Sequence, residues 1–175
     1  MLEFANSLLT TLTLIFAPFA LLALEGVKNF RKALSLDKAR VTRTPLLAAS
    51  MLAQLFLAMA ALSVALYALG WLDSWKVTEI IKAQDAVTLL LAVTLAPFAE
   101  ELFFRGYLQK KTGVVLASVV FAALHFGYGS VSEISGALLA SLVLGYGLRK
   151  HGDLWACVAA HAGYNAVTLA LALSI

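Results

Sequence analysis

The chain has 175 residues, of which 62% are hydrophobic and 13% charged, with a mean hydropathy of +0.89 and a formal net charge of +3. A water-soluble domain carries about 25% charged residues, so much of this surface has to face lipid; disorder, coiled coil, collagen and secreted disulfide scaffolds are excluded. The single cysteine, Cys157, excludes an intramolecular disulfide and any multi-cysteine metal site.

The length predicts one integral-membrane domain over 1–175. The fold class is all-α, a polytopic bundle of about six transmembrane helices. Apolar runs predict helices at 4–24, 46–70, 86–111, 114–127, 133–150 and 154–174. A span needs about 20 apolar residues. The fourth and fifth segments are shorter than that and contain glycine, so they call for protein neighbours as well as lipid.

In chain order, residues 1–24 hold Glu3 and no Lys or Arg, which reads as a retained helix rather than a cleaved signal peptide. Segment 25–45 is basic. Val27, Phe30 and Leu34 share one helical face within it, which predicts a surface helix on anionic lipid rather than a nucleic-acid site. Thr44-Pro45 reads as a helix start, Asp85 and Asp153 as N-caps, and Ser130 with Glu133 as a capping box. Gly113 and Gly152 fall where helices end.

Ten of the 13 basic residues lie in 25–45, at Lys110-Lys111 and at Arg149-Lys150, against Lys76 and Lys82 on the other side. Positive charge stays cytoplasmic. Segment 25–45 is therefore expected in the cytoplasm and both termini outside, with the cell membrane of a prokaryote as the location.

Ionisable groups inside spans are costly and invite a functional reading. Here they are Glu100, Glu101 and Arg105 in 86–111, His125 in 114–127, and His161 with Asn165 in 154–174. Glu100 lies 13 residues before Gly113 and His125 lies 12 after it. Both are thus about 18–20 Å from the turn on antiparallel neighbours. His161 and Asn165, at i,i+4, share a face at comparable depth. Glu101 and Arg105 are also i,i+4, acid first, so Glu101 is neutralised while Glu100 keeps no intrahelical partner. A buried carboxylate beside a histidine is a candidate general base for water.

Three strings carry a resemblance: Glu100-Glu101-Leu102-Phe103-Phe104-Arg105, Phe121-Ala122-Ala123-Leu124-His125 and His161-Ala162-Gly163-Tyr164-Asn165. In order, they resemble the EExxxR, FxxxH and HxxxN motifs of the CAAX protease and bacteriocin-processing family of intramembrane proteases, which includes the type II CAAX prenyl endopeptidase. The resemblance covers about 86–170. It implies a membrane-embedded peptidase in which Glu100 and His125 activate water and His161 and Asn165 stabilise the oxyanion. Glu101 and Arg105 then support the site. It also implies a peptide or protein substrate, prenylated or membrane-associated, with no nucleic-acid partner and no cofactor.

Other readings stay open on the residues. Glu100, His125 and His161 could ligate zinc, with one open position. Against this, HExxH is absent and Asn165 is a poor zinc ligand. Cys157 stands one turn from His161, as a cysteine enzyme would need. A non-catalytic immunity-type protein or proton-coupled carrier would also bury Glu and His, although no inverted repeat is visible.

Overall fold

A computed structural model describes residues 2–174. Helices run through these residues in the order α1 (Leu2–Leu24), α2 (Phe30–Ala33), α3 (Arg43–Ala68), α4 (Trp75–Ala83), α5 (Ala86–Val93), α6 (Leu95–Thr112), α7 (Val114–Tyr128), α8 (Val131–His151) and α9 (Leu154–Ser174). No strand occurs among the described residues. All six predicted apolar segments are helical. Of these, α1, α3, α8 and α9 are long and apolar enough to cross a membrane, the bent pair α5–α6 makes a fifth span if taken together, and α7 is shorter. At most 28% of the apolar window of any of the four long helices is buried within the protein. Leu9, Phe16, Leu57 and Val64 face outward. Such a surface is stable in lipid and not in water: this is an integral membrane protein.

The core lies where α3, α8 and α9 meet the first turns of α6. Met51, Leu55, Leu102, Leu144, Leu148, Leu154 and Cys157 close it. Small residues let the helices approach: a Cβ on Gly145 would stand 2.8 Å from both Val114 Cγ1 and Gln109 Oε1. Gly113, at φ +86°, makes the turn between α6 and α7.

The structure departs from the sequence reading in four places. The predicted continuous helix 86–111 is broken at Thr94, with a bend of 40° between α5 and α6. Pro97 supplies the reason: it has no N–H for the carbonyl four residues back, that of Val93, and α5 ends at Val93. Beyond the break, Glu101–Leu108 winds as π-helix. Between α1 and α3 the basic segment is helical only at 30–33 and does not lay its apolar face on lipid. Leu34 is fully buried and Phe30 meets Phe19 edge-on at 5.8 Å. An amphipathic pattern reads alike whether lipid or protein covers it, and here the protein does. The third helix begins at Arg43, with Thr44 accepting from the Arg40 N–H and donating to Asp153 at 2.6 Å. Finally, α4 is a short helix that the apolar-run reading passed over.

The caps at Asp85 and Asp153 are as predicted, and of the capping box the Ser130 half forms, its hydroxyl oxygen accepting from the Glu133 N–H. Asp73, unremarked in the sequence, ties the loop after α3 to the start of α8. Its carboxylate accepts from the Ser130 hydroxyl (2.8 Å), the Ser132 N–H (2.9 Å), the Val131 N–H and Lys76. Burial pushes its pKa up, but the bonds from Ser132, Ser130 and Val131 together outweigh burial and hold it well below the usual aspartate range. A folded pKa below the unfolded one contributes stability that is present above the unfolded value, about 3.9, and lost as pH falls through the folded value. Asp73→Asn should therefore lower stability at neutral pH by about 1.5–3 kcal/mol. The gap in melting temperature between the two proteins should narrow below about pH 4. A gap that stays constant down to pH 2 would contradict this role.

Candidate active site

Three helices supply the polar side chains inside the bundle. Glu100 closes the first turns of α6, and Glu101 and Arg105 lie on its π-helical stretch, a local geometry frequent at functional sites. His125 sits where α7 tightens from α-helix to 3₁₀-helix. His161 and Asn165 project from the middle of α9.

His161 is the link between the two glutamates. Its Nδ1–H donates to Glu101 Oε1 at 2.9 Å, and its Nε2 faces Glu100 Oε2 at 3.7 Å, beyond direct hydrogen-bond reach. Glu101 is fully buried. Its other oxygen stands 3.1 Å from Arg105 Nε, itself 1% exposed. The Arg105 N–H groups are not aimed along that line and meet no hydrogen-bond acceptor among the described residues. The contact is thus one of charge. The Phe121 ring, 4.7 Å from the guanidinium carbon, adds a cation–π contact. The predicted Glu101–Arg105 pair is present, and Glu101 has a second partner that the wheel argument did not include.

Phe121 organises the other side. Its ring touches Phe104 and lies 4.6 Å from the His125 ring and 6.3 Å from the His161 ring, centroid to centroid. Its carbonyl accepts from His125 Nδ1 at 2.9 Å. A carbonyl only accepts, so Nδ1 is the donor in this bond, and Nε2 makes no hydrogen bond among the described residues. His125 is half-buried and stacks on Tyr128 at 5.9 Å. No direct Glu100–His125 hydrogen bond forms among the described residues.

Glu133 joins this group, which sequence reasoning missed. Capping was expected to account for it, and its N–H does receive the Ser130 cap. Its carboxylate, however, lies within electrostatic reach of both His125 and Glu100. The Glu133 carboxylate makes no reciprocal bond to the Ser130 N–H among the described residues, so capping does not occupy it.

Asn165, one turn beyond His161 on α9, also serves the helix break. Its amide donates to the Ala92 carbonyl at 3.0 Å, at the end of α5 just before the break. A broken membrane helix frees carbonyls that neighbouring side chains must satisfy, and Asn165 does this with one of its two N–H groups. Cys157 is fully buried in the core. Its thiol faces Met51 Sδ, the Leu144 carbonyl and the Asp153 carbonyl rather than the site.

The arrangement thus offers a half-exposed glutamate, a histidine with a free ring nitrogen, and a second histidine held by a buried carboxylate–guanidinium pair. Comparison with known proteins bears on the same part of the chain. Residues 82–167 match the family described as "Type II CAAX prenyl endopeptidase Rce1-like". The chain is also similar to the uncharacterized protein YpbD of Bacillus subtilis (strain 168), 36% identical over 90 residues, which is 51% of this chain and 48% of the relative. The chain therefore spans about half the length of the curated relative it matches. No solved structure matches. Residues 82–167, the part of the chain that is similar to this family, hold Glu100, Glu101, Arg105, His125, His161 and Asn165.

Proposed function

We propose that the protein is a glutamate-dependent intramembrane endopeptidase that hydrolyses a peptide bond with an activated water. The observation that carries this reading is the chain Arg105–Glu101–His161–Glu100 beside His125. Water held by Glu100 and His125 Nε2 attacks the scissile carbonyl carbon. Its proton passes to this pair and returns to the leaving amine as the C–N bond breaks. Negative charge collects on the carbonyl oxygen, where His161 Nε2–H and the second N–H of Asn165 donate. The role requires His161 to be protonated on both nitrogens. Glu101 and Glu100, one on either side of the ring, supply the countercharge. Glu133 adds negative charge within electrostatic reach of Glu100 and His125.

The bond to Ala92 gives Asn165 two tasks, and they separate by experiment. Asn165→Ala should lower kcat by about 10²–10³ with little change in KM, while Asn165→Asp, which has no N–H to offer, does no better. An Asp variant that kept most activity would leave Asn165 only its role at the helix break.

The substrate is a peptide or protein segment that reaches the site through the bilayer, prenylated or otherwise membrane-associated. The chain forms one membrane domain with its motif-bearing core at 86–170. Its basic end lies in the cytoplasm, and the bacterial relative favours a prokaryotic plasma membrane. The test is a cleavage assay of the purified protein on prenylated and unprenylated peptide panels, with and without a strong chelator. Cleavage should survive chelation, and zinc should be far below one equivalent. Loss on chelation with rescue by zinc would turn Glu100, His125 and His161 into ligands instead.

A further inference from the structure

The basic end of the bundle holds a cavity of about 300 Å³ that the peptidase reading does not use. It lies at the turn from α6 to α7 and the last turn of α8. Ser35, Lys110, Gly113, Val114, Leu148 and Arg149 line it. Its charged groups are donors, and an amide N–H of Gln109, which also lines it, is spent on the Gly145 carbonyl. Lys110 gives two of its three N–H bonds to the Ala33 carbonyl and the Ser35 hydroxyl, leaving one free. Ser35 accepts that bond, so its own O–H remains to donate. Ser35 also stands at φ +60°, a left-handed conformation that a serine holds at some cost in energy and that fixes its hydroxyl beside Lys110. Arg149 is exposed and makes no ion pair or hydrogen bond among the described residues. Asp37 is close enough for its charge to act on Lys110, but it is exposed and does not line the cavity.

The walls differ from the rim. Val114 and Leu148 are buried and apolar. The outer face of α7, turned away from Val114, carries the exposed residues Val115, Leu116 and Val119. A cationic recess at the end of helices with such apolar outer faces suits an amphiphile with an anionic head rather than a free anion. Basic pockets between membrane helices at the positively charged end bind such headgroups.

We propose that this cavity binds the phosphodiester headgroup of an anionic glycerophospholipid, held by Arg149, Lys110 and Ser35, with its acyl chains along α7. The proposal is independent of the peptidase reading. The test is native mass spectrometry of the full chain in detergent, titrated with phosphatidylglycerol and separately with phosphatidylcholine. Phosphatidylglycerol should bind at least about tenfold more tightly. Arg149→Gln, which disturbs no bond within the protein, should lose about that factor for phosphatidylglycerol alone, at an unchanged melting temperature. Equal binding of the two lipids, or phosphatidylglycerol binding unaltered in Arg149→Gln, would overturn the proposal. Displacement of phosphatidylglycerol by excess inorganic phosphate would overturn the lipid assignment in favour of a soluble anion.

Discussion

Glu100→Gln should yield a folded protein whose kcat is lower by about 10²–10⁴, the usual contribution of a positioned general base. The amide keeps the size of the side chain and its place 3.7 Å from His161, so substrate binding should be largely retained. The Glu100 side chain is 24% exposed and makes no direct hydrogen bond among the described residues, so the melting temperature should stay within about 2 °C of wild type. The measurement is a thermal melt beside steady-state kinetics on one cleaved peptide. Near-normal turnover would remove Glu100 as the base.

Glu101→Gln should behave in the opposite manner and lose stability first. It takes away the negative charge between Arg105 and His161, two groups that are nearly or fully buried. Breaking a buried pair from one side typically costs about 3–5 kcal/mol, because the remaining charge stays uncompensated. The Phe121 ring beside Arg105 offsets part of this, since its cation–π contact survives the change. Activity should fall too, since His161 Nδ1 loses the carboxylate that orients it. Thermal unfolding in one detergent decides the matter. A melting temperature equal to that of Glu100→Gln would mean that Glu101 neutralises nothing.

The contrast between these adjacent glutamates was legible in the sequence because i,i+4 spacing pairs Glu101, and not Glu100, with Arg105. Spans, caps at Asp85 and Asp153 and the turn at Gly113 were legible for the same reason: each depends on residues close in the chain. What the sequence did not display depends on contacts between distant residues. The Asn165 bond to Ala92 joins groups 73 positions apart across a helix break. Pro97 stood in plain view inside an apolar run, but composition does not say where a neighbour will satisfy the freed carbonyls. The docking of Leu34, the Asp73 hub and the approach of Glu133 to Glu100 and His125 all need the packed bundle before they can be seen. The depth argument needed no such contacts, because hairpin geometry about Gly113 is set by helix rise alone.

The account rests on direct attack by water on a peptide carbonyl within the membrane. The measurement closest to that claim is mass spectrometry of the products formed in H₂¹⁸O with hydroxylamine present, using the peptide cleaved best in the panel. The account predicts an amino-terminal product that is a free acid carrying one ¹⁸O, with no hydroxamate, because no acyl-enzyme exists for hydroxylamine to intercept. A hydroxamate product, or no cleavage of any prenylated or unprenylated peptide by the folded protein, would contradict it.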